Sequence, residues 1–158
     1  MTEITTLIDD YAAGAQLLRD ALQTASRVDI DDRPVEGQWS IREVVCHLAD
    51  AEIVYADRMK RVIAEDNPTF FDLDPNIHVP ALAGQHRMLD VEVNLIDAVR
   101  LHLLPILMAC SDADFSRTGT HSLDGPMTLQ ILLQRITNHI PHHVAFIEQK
   151  IQVLSRLS

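Results

Sequence analysis

With 158 residues, the chain is long enough to close one hydrophobic core, and residues 1–158 are expected to form a single domain. Its formal net charge of −10 opposes binding to nucleic acid or to an anionic membrane, because both require clustered lysine and arginine. Hydrophobic residues make up 47% of the chain and aromatic residues only 4%, which favours a globular protein built from helices packing on helices.

The cysteines and the N-terminal segment indicate an ordinary cytoplasmic protein. Cys46 and Cys110 form neither a metal-binding nor a redox spacing, and two cysteines provide no disulfide framework. Residues 1–4 lack a basic segment followed by an apolar one, so we expect no export signal. The longest apolar run, residues 103–110, is too short to span a bilayer.

A first helix is predicted over residues 5–25, because apolar side chains recur there at steps of three or four. Its core stripe consists of Leu7, Tyr11, Gly14, Leu18, Leu22 and Ala25. Residues 26–38 are rich in aspartate, proline and glycine, which predicts a connection.

The second helix has the clearest start signal in the sequence. Ser40 and Glu43 have the spacing of a capping box, in which each side chain binds the other residue's backbone N–H. Trp39 and Val44 are placed for a hydrophobic staple over that cap, although Trp39 could instead stack on a substrate. The predicted buried stripe of this helix is Val44, Leu48, Ala51, Tyr55, Met59 and Val62.

Residues 65–80 interrupt the helical pattern with turn-forming Asp, Asn and Pro. This long connection carries Phe70, Phe71 and Leu73, so we expect it to fold over the bundle and cover a pocket. A third helix is predicted over residues 82–110, with Pro105 kinking it or ending its regular part.

Residues 111–127 are polar, and residues 118–121 fit either a small hairpin or a plain loop. Thr128 is then placed to cap the fourth helix. A single stripe runs along that helix through Leu132, Ile136, His139, His143, Phe146, Ile147 and Lys150.

His139 and His143 lie one turn apart within this mostly apolar stripe. Helical metal sites use this spacing because two imidazole nitrogens can converge on one ion at about 2 Å each. The alternative is that both are hydrogen-bonded core histidines.

Four amphipathic helices with longer connections predict an all-α protein, a four-helix bundle. If the second and fourth helices are neighbours, His47 can join His139 and His143 in the core. Three protein nitrogens with an open position are typical of catalytic metal sites, whereas structural zinc closes its shell with four ligands.

Two segments resemble signatures of the DinB/YfiT-like superfamily of metalloenzymes. Residues 39–52, WSIREVVCHLADAE, are similar to the superfamily's second-helix motif, and residues 138–143, NHIPHH, are similar to its fourth-helix motif. The order of elements also matches, so the resemblance covers nearly the whole chain.

The resemblance implies an up-up-down-down bundle, often dimeric, that binds a divalent metal, usually Ni²⁺ or Zn²⁺. Carried onto this chain, the ligands are His47, His139 and His143. Members with assigned activities include transferases and isomerases that use low-molecular-weight thiols, and others are called hydrolases. This chain departs from many relatives, which follow the paired histidines with Arg-Gly-Gln, because it has Val-Ala-Phe at residues 144–146.

Two further residues are candidate catalytic groups. Asp50, one turn beyond His47, could orient a metal ligand, act as a general base, or be a solvated helix charge. Arg58, on nearly the same face as His47, could bind a substrate carboxylate or pair with a nearby acid. The remaining histidines share no face, so we expect surface or loop positions for His78, His86, His102, His121 and His142.

Three functions are compatible with these patterns. The first is a metal-dependent enzyme, a cytoplasmic homodimer acting on a small electrophile with water or a low-molecular-weight thiol as nucleophile. The second is a non-catalytic, stress-associated metal-binding module, which a fourth protein ligand would favour. The third is a helical interaction protein without metal, in which the three histidines are core residues.

Overall fold

The computed structural model describes residues 3–34 and 38–157. In chain order its elements are α1 (Glu3–Thr24), α2 (Ile41–Ala64), β1 (Thr69–Phe70), α3 (Pro75–Ala81), α4 (Leu89–Met108), α5 (Asp112–Phe115), β2 (Thr118–His121), β3 (Gly125–Thr128) and α6 (Leu129–Leu157). Short 3-10 turns occupy Ala25–Arg27 and Gly84–His86.

The four long helices, α1, α2, α4 and α6, form a bundle. α1 packs against α4 and α6, and α2 packs against the same two helices, so α1 and α2 lie diagonally opposite each other. The predicted all-α four-helix bundle is confirmed, while the up-up-down-down order of helix directions stays a prediction. No helix within the described residues combines the length and apolarity needed to cross a bilayer.

Both predicted helix caps that flank the site are present. The Glu43 backbone N–H donates to the Ser40 hydroxyl over 3.3 Å, and the Ser40 N–H donates to the Glu43 carboxylate over 2.8 Å. The Ile131 N–H donates to the Thr128 hydroxyl over 3.1 Å, which caps α6. Trp39 packs against the core cluster that contains Val44, as the staple requires.

The third long helix starts later than predicted, at Leu89 instead of residue 82. Ala83 has a positive φ of 54°, which a right-handed helix excludes. Gly84 lies so close to Val79 that an added Cβ would be 2.8 Å from the Val79 carbonyl oxygen. The chain therefore turns sharply between α3 and α4, a tertiary contact that the hydrophobic period does not report.

The two long connections are joined by a three-stranded sheet of order β1-β2-β3. For residues 118–121 the sequence allowed either a hairpin or a plain loop. In the structure β2 and β3 form an antiparallel hairpin, and β1 pairs with β2 in parallel. Phe70 is buried in the core, while Phe71 is 79% exposed. The segment that was expected to cover a pocket does line one through Asp72 and Leu73, whereas Phe70 is buried in the core and Phe71 lies in solvent.

A buried ion pair lies where the apolar core divides into two clusters of residues. The Arg100 guanidinium on α4 donates to the Glu52 carboxylate on α2, with an Nε–Oε1 distance of 2.9 Å. Arg100 also donates to the backbone carbonyls of Tyr11 and Ile136 over 2.6 and 3.3 Å, and the Tyr11 hydroxyl donates to Glu52 over 3.2 Å. Gly14 makes room for this guanidinium, since an added Cβ there would lie 2.1 Å from it.

Candidate metal centre

Three histidines from α2 and α6 meet inside the bundle. The Nε2 atoms of His47 and His139 are 3.0 Å apart, and the three ring centroids lie 4.7 to 5.0 Å from one another. One nitrogen of each ring can be chosen so that all three lie within 4.8 Å. The structure thus brings together His47, His139 and His143, the residues that the motifs indicate.

The burial of these rings keeps them neutral. Desolvation lowers the pKa of His47 to about 4, that of His139 to about 3 and that of His143 to about 4. The neighbouring imidazoles lower the pKa of His139 and His143 further, since a second positive charge would be repelled. At neutral pH each ring is therefore unprotonated, which metal coordination requires.

The arrangement fits a divalent metal ion. Two imidazole nitrogens bound to one ion at about 2.1 Å lie roughly 3.0 to 3.4 Å apart, which matches the His47–His139 spacing. In the described part of the chain, the buried Nδ1 atoms of all three histidines have no hydrogen-bond partner. An ion bound by the facing Nε2 atoms would not satisfy these Nδ1 atoms, so it is the spacing of the converging nitrogens that fits a metal ion.

Pro141 lies between the two histidines of α6, and the helix continues through it. Proline has no N–H, so the Thr137 carbonyl loses its helical donor. Within the described residues, the buried Thr137 hydroxyl also lacks a partner. The helix is thus incompletely hydrogen-bonded beside the histidines, and the predicted bend there stays a prediction.

Two cavities reach the histidine cluster. The Arg58 cavity has a volume of about 180 Å³, is lined by His47 and His139, and extends past Arg58, His121 and Leu73. The Trp39 cavity has a volume of about 440 Å³ and is lined by a further set that includes His143, Trp39, Val44, Phe146 and Lys150. The cluster therefore has one cavity in contact with two of its rings and a second in contact with the third.

The two predicted catalytic candidates have different surroundings. Asp50 accepts a hydrogen bond from Arg87 over 2.9 Å. In the described part of the chain the His47 Nδ1 atom has no hydrogen-bond partner, so it makes no such bond to Asp50. Arg58 lines the Arg58 cavity, donates to the Phe71 carbonyl over 2.6 Å and has its guanidinium 5.1 Å from the Tyr55 ring centroid. The roles proposed for both residues stay predictions.

Sequence reasoning missed His121, which was expected at the surface or in a loop. It lies in β2, is buried and lines the Arg58 cavity. The alternating burial of β2 places Gly119 and His121 on its inner face. The period of two of a strand was therefore the signal that could have predicted a buried His121. Of the other four, His86, His102 and His142 are exposed and His78 is partly exposed.

A protein-family comparison identifies the chain. The family model of the DinB superfamily matches residues 10–147. The chain belongs to the DinB superfamily. This confirms the resemblance carried by the second-helix and fourth-helix motifs, and all three clustered histidines lie within the matched range.

Several relatives show similarity over most of the chain. A protein of Oceanobacillus iheyensis named a putative metal-dependent hydrolase is 26% identical over 84% of this chain and 76% of its own length. A Bacillus licheniformis protein with the same description is 26% identical over 92% of this chain and 84% of its own. YfiT from Bacillus subtilis, described as a probable metal-dependent hydrolase with an unusual four-helix bundle topology, has a similar structure. Its TM-score is 0.87 at 21% identity, with coverage of 99% of this chain and 90% of YfiT.

Proposed function

We propose that this protein is a metal-dependent enzyme in which His47, His139 and His143 hold one divalent cation, Zn²⁺ or Ni²⁺. The observation that carries the proposal is the convergence of three neutral imidazoles, with nitrogens within 4.8 Å, beside a cavity. A cation held there would act as a Lewis acid and lower the pKa of a water molecule or a thiol.

The number of ligands favours an enzyme over a non-catalytic metal-binding module. Within residues 3–34 and 38–157, the group of residues able to hold a metal has three members and no fourth. Three ligands leave a coordination position open, whereas structural zinc sites are closed by four protein side chains. The names of the relatives, which describe metal-dependent hydrolases, support hydrolysis as the reaction class.

Thiol transfer is a second candidate, and the Trp39 cavity favours it. Transfer requires a second site for the thiol beside the metal, and the Trp39 cavity contacts His143 while the Arg58 cavity contacts His47 and His139. Hydrolysis predicts turnover of a small electrophile without added thiol. Transfer predicts turnover that requires a low-molecular-weight thiol such as cysteine or glutathione. Both activities disappear on chelation.

Elemental analysis of the purified protein tests the metal site. We expect stoichiometric metal in the wild type and its loss in His47→Ala, His139→Ala and His143→Ala. His142→Ala is the matched control, because His142 is exposed on the same turn of α6 and its loss should leave the metal content unchanged. Full metal occupancy in the His47 and His139 variants would refute the assignment.

We also propose that the chain forms a homodimer through helix faces. Leu101 and Met108 are exposed large apolar side chains two turns apart on one face of α4, which is a suitable contact surface. Light scattering should give twice the monomer mass, and Leu101→Asp should reduce it to the monomer. A monomer mass for the wild type across micromolar concentrations would contradict the dimer.

A further inference from the structure

The Arg58 cavity contains a buried cation that has no carboxylate oxygen within 4.0 Å among the described residues. We propose that the substrate carries a carboxylate and that Arg58 binds it. This inference rests on the proposed function, because that proposal makes this cavity the substrate site. The carboxylate binding itself can be tested without the metal.

Arg58 is buried to an unusual degree for a charged side chain, with 6% of its surface exposed. One guanidinium N–H donates to the Phe71 carbonyl over 2.6 Å, and the group lies beside the Tyr55 ring. Both contacts hold the guanidinium in place, but neither supplies a negative charge. Arginine has five N–H donors, so most of this fork stays available to a ligand.

A buried charge is costly unless it is paired. Within residues 3–34 and 38–157, the structure gives Arg58 no carboxylate oxygen within 4.0 Å. Arg58 therefore makes no direct ion pair with an acid of the described chain, although Arg135 and, more weakly, Arg58 lower the pKa of Asp124. The unpaired charge is then explained by a negatively charged group that arrives with the substrate.

Two acids, Asp72 and Asp124, line the same cavity, and each lies close to a basic side chain other than Arg58. Asp124 accepts a hydrogen bond from Arg135 over 2.6 Å, in an ion pair whose two side chains are both exposed to solvent. Asp72 is also half-exposed, and its carboxylate lies 3.7 Å from the Nε2 of His121. Solvent screens both charges more than it screens Arg58, so they weaken the attraction for an anion without cancelling it.

His121 provides a second donor of fixed direction. Its Nδ1 accepts the backbone N–H groups of Leu123 and Asp124 over 3.3 and 3.2 Å. These bonds place the proton of the neutral ring on Nε2. The ring is buried and lines the cavity, so its Nε2–H is available to the second oxygen of a bound carboxylate.

Charge and size together define the ligand. Arg58 contributes one positive charge, which suits the single charge of a carboxylate better than the double charge of a phosphate monoester. The cavity volume of about 180 Å³ is close to that of the roughly 150 Å³ protein cavities that hold benzene. The buried part of the substrate is therefore about the size of a substituted benzene ring.

Arg58 lies about three turns, or roughly 16 Å, beyond His47 along α2. Helical side chains lean towards the N-terminus, so the Arg58 side chain reaches back along the cavity towards the histidines. The carboxylate and the reacting bond would then occupy opposite ends of one cavity. Arg58 would set the orientation of the substrate, and we class it as a binding residue.

The test measures binding of benzoate to metal-free wild-type protein by NMR titration, with benzamide as the uncharged analogue and inorganic phosphate as the other anion. We expect benzoate to bind more tightly than benzamide or phosphate. Arg58→Gln should weaken benzoate binding by at least about tenfold, because a charge-assisted hydrogen bond is lost, and should leave benzamide binding unchanged. Arg58→Lys should give a smaller loss, since it keeps the charge but not the planar fork.

Arg61→Gln is the matched control, because Arg61 is a partly exposed arginine of the same helix that pairs with Glu65. Its benzoate affinity should equal that of the wild type, and a melting curve of each variant verifies folding. Equal benzoate binding by wild type and Arg58→Gln would overturn the proposal, as would benzoate binding that occurs only in metal-loaded protein. Tighter binding of phosphate would overturn the choice of carboxylate. Loss of the metal site would instead appear in the elemental analysis, and this binding assay would not detect it.

Discussion

Two polar clusters are buried in the same bundle, and they differ in how completely their hydrogen-bonding groups are paired. In the Arg100 cluster, the guanidinium donates to Glu52 and to two backbone carbonyls, and Tyr11 donates to the remaining carboxylate oxygen. In the histidine cluster, one contact joins His47 and His139 and, in the described chain, the three Nδ1 atoms have no partner.

The two clusters also differ in their access to solvent: the fully paired one is closed off, and the incompletely paired one is not. The Arg100 and Glu52 side chains are almost fully inaccessible to solvent, with 1% of each exposed. The histidine cluster instead borders two cavities. Burial alone therefore does not distinguish structure from function here. Full pairing without solvent access marks a residue set that holds helices together, while imidazole nitrogens that converge beside a cavity mark one that can hold a ligand.

The largest expected effect is on the Arg100 cluster. Arg100→Met should lower the free energy of unfolding by about 3 to 5 kcal/mol, because the buried Glu52 carboxyl loses its cationic partner. Urea denaturation of the metal-free protein measures this change. The double variant Glu52→Leu/Arg100→Met should be less destabilised than the single one, and an equal or greater loss in the double variant would contradict the assignment of the pair.

The next effect concerns metal binding at the histidine cluster. At a free metal concentration about 100 times the Kd, binding to the folded state alone should stabilise the wild type by about 2.7 kcal/mol. The melting temperature of the wild type should therefore fall on chelation, while that of His143→Ala should not respond to metal. A chelator-sensitive His143→Ala variant, with His142→Ala behaving like the wild type, would contradict the predicted ligand set.

A smaller effect is expected at the start of α2, which carries residues of both clusters. Ser40→Ala should cost about 1 kcal/mol of stability through loss of the N-cap. Because the cap lies outside the histidine cluster, the metal stoichiometry should be unchanged. Denaturation curves and elemental analysis of the same sample test both statements, and loss of metal in this variant would mean that the histidine geometry depends on the cap.

The smallest effect distinguishes the two clusters most directly. In metal-free protein, His139→Leu should change the free energy of unfolding by less than about 1 kcal/mol, because it removes a buried polar group that is incompletely paired. The comparison with Arg100→Met in the same denaturant series is the measurement. A loss as large as that of Arg100→Met would show that the histidines are a structural cluster.

Local signals in the sequence were reliable, and long-range ones were not. The Ser40–Glu43 box, the Thr128 cap and the one-turn spacing of His139 and His143 depend on residues within one or two turns of each other, and the structure contains all three. Each could be predicted because its geometry is fixed by the helix itself.

The features that sequence analysis missed depend on partners far along the chain. Arg100 interrupts the apolar stripe of α4, and its burial makes sense only once Glu52 and the gap at Gly14 are adjacent. His121 faces the cavity because β2 pairs with β1 from another connection. The period of two in β2 gives the face on which His121 lies, but no local period encodes which distant residues it meets there. The motif resemblance identified His47 as a third member of the cluster because it carries information on which helices are neighbours.

Trp39 has a practical consequence that follows from its position. It is the single tryptophan of the chain, and its ring centroid is 5.1 Å from that of His47. Indole fluorescence is sensitive to nearby charge and to paramagnetic ions, so the intrinsic emission of this protein comes from a reporter beside the histidine cluster. Occupancy of the cluster can then be followed in solution, by emission intensity, without any label or substrate.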